Sequence, residues 1–304
     1  LNAITERVDC MNHMTAKVSC FARAYHYRNN TEWVFKDDIA GIILGEEDYL
    51  SIADNMAKGI QFFAPGFKGD ASEALRFIAD RHLSPSVLGR SAFCEKHLMN
   101  ETAMGCRQYV LFAAGYDTFS FRNTSIELRV YELDLPDLIN DKKRRADKYG
   151  LAYPDNALPL PCNLAGDDWI SLLCGNGFQK TAKSFGSLLG ISYYLLKDDF
   201  KKLINRISSV FAPGSVICLD YPAENDGVES RKNRQLADAA GEPMKSRYSY
   251  EEMEGLLQEN GFLLYEHLDD IKMTEQYFMK YNMATPEHTM SAPKGINYLL
   301  AIKQ

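Results

Sequence analysis

The spacing of hydrophobic positions changes partway along the chain. In the first third, apolar residues recur every three or four positions, as on one face of a helix, and residues 47–58 and 70–82 show this most plainly. Asp70 or Ser72 stands where it can cap the start of the second helix. No run in this part alternates like a strand, so we predict that residues 1–105 form a helical segment covering the rest of the protein.

Short, continuous apolar runs begin at residue 108 and alternate with helical patterns. A continuous run bounded by turns is typical of a parallel strand that is buried on both faces. Alternation of strand and helix at this spacing indicates βαβ units and a parallel sheet. The predicted strands are residues 108–114, 128–134, 157–164, 187–196, 215–221, 262–268 and 296–303, and the predicted helices are residues 137–149, 168–175, 197–211 and 248–260.

The last two strands follow each other without a strong intervening helix, which indicates an antiparallel pair at one edge of the sheet. We therefore predict an α/β fold in which residues 106–304 form a doubly wound, mostly parallel seven-stranded sheet with an N-terminal helical cap. The polar segment 222–245 is long for a loop, and we predict that it is mobile or part of a lid.

Composition narrows the choice of partners and location. The 304-residue chain has a formal net charge of −7, and an acidic surface repels phosphate backbones, so we expect no nucleic-acid partner. No apolar run reaches the roughly 18 residues needed to span a bilayer, and the start of the chain lacks a signal-peptide pattern, so we expect no membrane association. Seven cysteines without a CxxC pair are typical of buried reduced thiols rather than a metal site, which favours the cytoplasm.

The ends of the predicted strands carry the candidate ligand site, because open parallel sheets bind ligands beyond the carboxyl ends of their strands. The first strand leads into Ala113, Ala114, Gly115 and then Asp117, and small residues let a ligand approach the backbone closely. The second strand ends in an acidic pair two residues apart. An acid at that place commonly accepts hydrogen bonds from the two ribose hydroxyls of a nucleoside. The pair is Glu132 and Asp134, with Asp134 nearer the strand end.

The third predicted strand ends in Asn163 and Leu164. The amide is suited to the exocyclic amine of adenine, and the leucine to packing on the ring. GxGxxG is absent, so a pyrophosphate has no obvious cradle and a nucleoside without phosphates is favoured. The alternative is structural, because short glycine turns are common at strand ends and a strand-end acid is often only a helix cap.

Several motifs resemble one known family. The sequence QYVLFAAGYDTFSFR (108–122) resembles the "LGAGxDTxxxR" signature of the leucine carboxyl methyltransferase-like family, which includes bacterial polyketide O-methyltransferases. YELDLP (131–136) is similar to its second motif, "E-x-D-x-P". Weaker similarities are ARAYHYRN (22–29) with VFKDDIA (34–40), LGR (88–90), and residues 187–196 in the place of "EGxxxYL".

The resemblance implies a class I methyltransferase fold and S-adenosylmethionine as cofactor. It implies that Gly115 and its neighbours lie beside the methionine part of the cofactor, and that Asp134 lies at the ribose. The adenine would contact Asn163 and Leu164. Arg90 is implied at the cofactor carboxylate, where a bidentate guanidinium is suitable. Arg23 is a candidate second basic position.

Three residues depart from the family pattern. Ala113 replaces the first glycine of the turn, and we expect its methyl to be tolerated only if its φ is negative. Asn163 replaces the usual aspartate, which is a mild change because an amide oxygen also accepts. Leu189 replaces the glutamate of "EG" and removes one carboxylate from the pocket, so a polar contact must be made elsewhere or omitted.

The methyl acceptor is left open by the sequence. A carboxylate is ionised at pH 7 and needs no base, whereas a hydroxyl benefits from one. Five histidines are possible by type, but a packing or surface role is favoured for each, and His13 is a weaker candidate still. The five are His26, His82, His97, His267 and His288. Arg23, Tyr25 and Tyr194 are candidate substrate contacts, and the run 142–145 (KKRR) is interpreted as a solvated helix face.

The sequence thus indicates an S-adenosylmethionine-dependent O-methyltransferase acting on a carboxylate or hydroxyl of a small molecule, with a homodimer possible. One alternative is an inactive binding module with the same fold, which the changes at Ala113 and Leu189 favour. Another is a nucleotide-dependent oxidoreductase, which the missing third glycine and the small-residue turn argue against.

Overall fold

The computed structural model of the chain describes residues 13–224, 234–235, 238 and 241–304. Most of the predicted lid, residues 222–245, therefore lies outside the described residues. The described residues before the sheet form helices and contain no strand. The helices are α1 (Met14–Asn29), α2 (Ala40–Leu44), α3 (Glu46–Lys58), α4 (Ile60–Phe63), α5 (Ala71–Ile78) and α6 (Ser84–Ala103), with a π-helical turn at Ala79–Leu83. Of the two candidate caps for α5, Asp70 is the one used.

A single sheet of seven strands follows, in the order β3-β2-β1-β4-β5-β7-β6. The first five strands are parallel, and β7 runs antiparallel to both of its neighbours, β5 and β6. The predicted doubly wound, mostly parallel seven-stranded fold is confirmed. The strands are β1 (Gln108–Phe112), β2 (Arg129–Asp134), β3 (Ala157–Pro161), β4 (Ser184–Leu188), β5 (Val216–Pro222), β6 (Phe262–Leu268) and β7 (Ile296–Lys303).

Helices connect the strands as the pattern predicts, and Ser249 caps the helix before β6 by accepting from the Glu252 N–H at 3.1 Å. They are α7 (Phe119–Arg122), α8 (Pro136–Lys148), α9 (Trp169–Gly175), α10 (Lys197–Ser208) and α11 (Tyr250–Glu259). The segment between β6 and β7 is more regular than the sequence suggests. It contains α12 (Asp270–Met273), a π-helical turn (Thr274–Phe278), α13 (Met279–Ala284) and a 3₁₀ turn (Pro286–His288).

The prediction for the fourth strand was wrong in its bounds. The strand covers Ser184–Leu188, whereas the apolar run suggested residues 187–196. The chain turns at Gly190, whose φ is +68° and whose N–H donates to the Asp220 carboxylate at 2.6 Å. The apolar run continues past the strand because Ile191 and Tyr193 are buried in the turn, so burial there does not mean strand.

Side chains of the sheet alternate between two apolar cores, one on each face. On β1, Val110 and Phe112 enter one core, and Tyr109 and Leu111 enter the other. This two-sided burial explains why the strand reads as a continuous apolar run. The helical segment is not packed separately from the sheet domain, because Phe21 of α1 shares a third core with Tyr116, Leu138 and Ala146. The boundary at residue 105 stays a prediction.

A buried carboxylate, Asp37, joins the helical segment to the exit of β1. It is fully inaccessible to solvent and accepts hydrogen bonds from Arg23 Nε at 2.8 Å and from Thr118 Oγ1 at 2.7 Å. Its other oxygen accepts from the Ala40 N–H at 2.9 Å and lies 3.5 Å from the Arg122 guanidinium. Burial alone would raise the pKa of Asp37, but the two guanidiniums and the Thr118 hydroxyl hold it below its usual value.

All six described cysteines are free, and Cys20, Cys94, Cys106, Cys162 and Cys218 are buried. No described helix is both long and apolar enough to cross a bilayer. The part of the chain that the structure describes contains no group of three or more His, Cys, Asp or Glu arranged to hold a metal ion.

We predict that Asp37→Asn destabilises the protein by about 3–5 kcal/mol at pH 7, because it leaves Arg23 and Arg122 without a buried countercharge. Since the folded pKa of Asp37 is depressed, its contribution is full well above the unfolded value of about 3.9. It is lost as the pH falls through the folded pKa. Urea unfolding of both proteins should therefore show a gap that narrows below about pH 4.

The matched control for this substitution is Asp54→Asn. Asp54 pairs with Lys58 at 2.6 Å, but both side chains are more than half exposed. Exposed pairs contribute little, so the free energy of unfolding should change by less than about 0.5 kcal/mol. Equal losses in the two variants would contradict a central role for Asp37.

Candidate cofactor and substrate site

A cavity of about 780 Å³ lies at the carboxyl ends of the parallel strands. Its walls come from the ends of β1 to β4 and from helices α1 and α6. The strand order reverses beside β1, because β2 pairs with one edge of it and β4 with the other. This is the position at which open α/β sheets bind their ligands. Nine of the ten residues predicted for the cofactor line this cavity, namely Arg90, Ala113, Ala114, Gly115, Asp117, Asp134, Asn163, Leu164 and Leu189.

The turn after β1 has an unusual backbone. Ala113 has φ +59° and is the only described non-glycine residue with a positive φ, so the expectation of a negative φ was wrong. Gly115 follows with φ +52°. A left-handed conformation costs a residue with a Cβ roughly 1–2 kcal/mol. The neighbouring Ala114 N–H donates to the Leu133 carbonyl at 3.1 Å, so the turn is held from β2 despite this cost.

Asp134 ends β2 with its carboxylate beside this turn. It accepts from the Gly115 N–H at 2.6 Å and from the Leu135 N–H at 2.7 Å. Burial raises the pKa of Asp134, and these two donors offset the rise only in part. A carboxylate has about four lone-pair sites, so two bonds to the backbone leave acceptors for two hydroxyls.

Glu132, which the sequence analysis predicts at the cofactor, lies outside the cavity. It is fully buried and is not among the residues that line the cavity. Its carboxylate accepts from Ser120 Oγ at 2.6 Å and from Lys142 Nζ at 2.8 Å. The interpretation of residues 142–145 as a solvated helix face was therefore wrong for two of them. Lys142 is fully buried, and Arg145 pairs with Asp141 at 2.6 Å.

The far wall of the cavity comes from the end of β3. Asn163 is exposed at its rim, and its side-chain oxygen accepts from the Ala165 N–H at 3.0 Å. Leu164 is half-buried beside it. Cys162 also lines the wall, which the sequence did not indicate. Burial raises the pKa of the Cys162 thiol to about 12, so it is a neutral, apolar contact at pH 7.

Arg90 reaches the cavity from α6 and lies against the turn after β4. Its guanidinium is 3.5 Å from the Asp220 carboxylate and 3.4 Å from Ser19 Oγ. A Cβ on Gly190 would stand 2.7 Å from Arg90 Nη1, and the φ of +68° at this position also favours glycine. Leu189 carries no carboxylate, and the carboxylate that lies 3.5 Å from Arg90 belongs to Asp220 of β5.

Asp220, which sequence reasoning missed, is a buried positioning residue beside Arg90 and the turn after β4. It is fully buried and accepts from the Gly190 N–H at 2.6 Å and from the Tyr193 hydroxyl at 2.8 Å. It stands near the end of the apolar run of β5, where an acidic residue is easily taken for an ordinary strand-end acid. Its one signal is a charged residue inside a strand buried on both faces.

Of the three residues predicted to contact the substrate, two line the cavity and one does not. Tyr194 lines the cavity, and so does Arg23. Three of the five Arg23 N–H donors are used, by Asp37, by the Ser19 carbonyl at 3.3 Å and by the Tyr116 carbonyl at 2.7 Å. Tyr25 is not among the residues that line this cavity and packs in the helical core.

The histidines also differ in whether they line the cavity. His82 and His13 line the cavity, whereas the other four are not among its lining residues. His26 is fully buried and accepts from the Val34 N–H at 3.0 Å, and burial lowers its pKa to about 3. Burial likewise lowers the pKa of His97 to about 4. His13, just before α1, and His82, in the π-helical turn, are therefore the described histidines that the structure brings to the site.

Comparison with solved structures supports the fold. The chain resembles a "putative methyltransferase" from Thermobifida fusca YX with a TM-score of 0.56 and 15% identity, over 82% of this chain and 94% of that one. It also resembles a DUF574 family protein from Streptomyces avermitilis MA-4680, with a TM-score of 0.55 and 12% identity over 82% and 97% of the two chains. At such identities the likeness concerns the fold alone.

Sequence comparison identifies the family. The chain is 36% identical to the Bacillus subtilis (strain 168) protein named "Putative S-adenosyl-L-methionine-dependent methyltransferase YktD", over 96% of this chain and 98% of that protein. A Mycobacterium marinum relative with the same description is 29% identical over 59% and 60% of the two chains. The family model for leucine carboxyl methyltransferase matches residues 16–208. The chain therefore belongs to the leucine carboxyl methyltransferase family, within the S-adenosylmethionine-dependent methyltransferases.

Proposed function

We propose that this S-adenosylmethionine-dependent methyltransferase transfers a methyl group to an oxygen atom of a small molecule, either a carboxylate or a hydroxyl. The observation that carries the proposal is that Gly115, Asp134 and Arg90 border one cavity at the carboxyl ends of the parallel strands. The volume of about 780 Å³ is within the range of small-molecule sites, roughly 300–1,000 Å³.

The residues around this cavity suit the parts of the cofactor. Arg90 offers a guanidinium to a carboxylate, Asp134 offers acceptors to ribose hydroxyls, and Asn163 and Leu164 offer an amide and an apolar contact to adenine. S-Adenosylmethionine supplies an activated methyl group when bound. The protein's own contribution is then to align the acceptor and to exclude water. A small-molecule acceptor, no nucleic acid and no membrane partner stay our expectations, as do the cytoplasm and a possible homodimer.

A binding module without activity is the second candidate. The left-handed Ala113 and the missing carboxylate at Leu189 favour it. Asp220 lies 3.5 Å from Arg90, but it is fully buried and is not among the residues that line the cavity, so it does not replace a carboxylate in the pocket. Turnover of any acceptor decides between the two.

Cofactor choice is tested by thermal unfolding with and without saturating S-adenosylmethionine, and with NAD as the control. A ligand at about 100 times its dissociation constant stabilises the native state by roughly 2.7 kcal/mol, so we expect an upward shift with S-adenosylmethionine alone. A shift with NAD alone would contradict the assignment, and no shift with either would favour the binding module.

Two near-isosteric substitutions on β2 compare the proposed role of Asp134 in cofactor binding with the structural role of Glu132. We predict that Asp134→Asn weakens S-adenosylmethionine binding about tenfold or more, because charge-assisted hydrogen bonds contribute about 1.5–3 kcal/mol. Glu132→Gln should leave the affinity of the folded protein unchanged and lower stability by about 3–5 kcal/mol, because Lys142 loses its buried countercharge. Titration calorimetry and urea unfolding measure the two effects, and equal losses of affinity would discredit the placement.

Ala113→Gly tests the strained turn. We predict that it stabilises the protein by roughly 0.5–1 kcal/mol without weakening cofactor binding, because glycine adopts a positive φ freely. Ala114→Gly is the matched control, since Ala114 is buried and its φ is not positive. It should be destabilising. A loss of stability in Ala113→Gly equal to that of the control would show that the turn is not strained.

A further inference from the structure

The guanidinium of Arg90 is held at the cavity wall by long contacts. Its nitrogen atoms lie 3.5 Å from the Asp220 carboxylate and 3.4 Å from Ser19 Oγ, whereas strong N–H···O bonds measure about 2.7–3.2 Å. Arg23, which also lines the cavity, bonds to Asp37 at 2.8 Å. The contacts that the structure describes therefore orient Arg90 without a strong bond to either neighbour, which suits a guanidinium that binds an anionic ligand.

Arg90 lies near the glycine turn that follows β1. Its guanidinium packs against the turn after β4, where a Cβ on Gly190 would stand 2.7 Å from Nη1. β1 and β4 are neighbouring parallel strands in which Leu111 pairs with Ser187, so the turns that follow them lie at the same edge of the sheet. Gly115 belongs to the first of these turns and also lines the cavity. The guanidinium thus borders the end of the cavity that is assigned to the methionine part of the cofactor.

Helix α1 joins the same two points. The Ala16 Cβ lies 3.6 Å from the position that a Cβ on Gly115 would take, and Ser19 Oγ lies 3.4 Å from Arg90. Residues three apart on a helix are about 5–6 Å from each other. The glycine turn and the guanidinium are therefore separated by about one turn of α1 and a contact on each side, a distance that one small ligand with a charged end can span.

Asp220 is the buried anion beside this arrangement. Its carboxylate is inaccessible to solvent and accepts from the Gly190 N–H at 2.6 Å and from the Tyr193 hydroxyl at 2.8 Å. Burial and the charge of Asp220 raise the pKa of Tyr193, so the hydroxyl keeps its proton and donates. Arg90, Gly190 and Tyr193 line the cavity, whereas Asp220 is not among the lining residues. One carboxylate outside the cavity therefore holds three residues that a ligand can contact.

Asp220 can act on Arg90 in two opposite ways. As a competitor, it would engage the guanidinium and weaken the binding of a ligand carboxylate. As a positioning group, it would keep the guanidinium at the wall and spare the ligand the cost of ordering a long side chain. The separation of 3.5 Å favours positioning, because a strong charge-assisted pair is about 2.7–2.9 Å long and would use the donors that the ligand needs.

We propose that Asp220 is a positioning residue for the cofactor carboxylate: it keeps Arg90 and the turn at Gly190 in place for the amino-acid end of S-adenosylmethionine, without touching the cofactor. The inference rests on the proposed function, in which Arg90 binds that carboxylate. Other cationic residues also line the cavity, so the experiment has to show that Arg90 is the one that binds it. They are Arg23, Arg234, Lys245, Arg247 and Lys294.

The test compares two ligands that differ only in the carboxylate, S-adenosylmethionine and decarboxylated S-adenosylmethionine, by titration calorimetry. Arg90→Gln should weaken binding of the first about tenfold or more and change binding of the second by less than about threefold. Asp220→Asn should do the same, because the amide has nearly the same shape but presents N–H groups where Arg90 needs an acceptor. When Arg90 is already replaced, Asp220→Asn should cost less than about a further threefold.

Two further variants separate positioning from a general loss of structure. Glu132→Gln is the matched control, because Glu132 is also a buried acid paired with a cation, Lys142, but does not line the cavity. It should leave the ratio of the two affinities unchanged. Tyr193→Phe removes one donor to Asp220 and keeps every charge, so it is the milder test if Asp220→Asn does not fold. It should weaken S-adenosylmethionine binding about threefold relative to the decarboxylated ligand.

The outcomes distinguish the two proposals. If the wild type binds neither ligand, the proposed function fails and this inference fails with it. If the wild type does not prefer S-adenosylmethionine, or Arg90→Gln weakens both ligands equally, the cofactor site stands but Arg90 does not bind the carboxylate, and the inference is overturned. It is also overturned if Asp220→Asn binds S-adenosylmethionine as tightly as the wild type or more tightly, or weakens both ligands equally. If Asp220→Asn does not fold, an unchanged ratio in Tyr193→Phe overturns it.

Discussion

The buried Asp37 carboxylate is the interaction on which the site depends, because it fixes a helical wall to the end of a strand. Arg23 of α1, the start of α2 and Thr118 after β1 all donate to it, and Arg122 lies within 3.5 Å. The cavity lies between α1 and the strand ends, so its shape depends on a fixed separation between these two parts. One desolvated anion with several donors does this more rigidly than apolar contact alone, since leaving any donor unpaired is costly.

This network also gives a physical meaning to the spacing of Asp117, Thr118 and Arg122 in the first motif. Asp117 accepts from the Phe119 N–H at 2.7 Å and starts α7, while Thr118 and Arg122 face Asp37. Asp117 and the glycine turn before it line the cavity, whereas Thr118 and Arg122 do not. A signature that identifies a cofactor site therefore also describes how the helical segment is attached to the sheet, and Gly190 contributes by making room for Arg90 of α6.

The sequence predicted most of the sheet because buried parallel strands are unbroken apolar runs with turns at both ends. The prediction failed where buried residues do not belong to a strand. The residues after Leu188 are as apolar as the strand but form a turn held by Asp220. It also failed for Glu132 and Lys142, since two charges ten residues apart give no sign that they neutralise each other under a helix. The backbone angle of Ala113 and the direction of His82 follow from tertiary packing, which no local pattern contains.

The position of β7 between β5 and β6 has a consequence for biosynthesis. Although β6 is made first, it pairs only with β7, and β7 is the strand that joins it to β5. During synthesis, one edge of β5 therefore has no partner strand until β7 has left the ribosome. That requires roughly 80 further residues, counted from Pro222 to Lys303. A nascent chain with such an edge is exposed to mispairing, and translation speed over this stretch becomes part of what determines the yield of folded protein.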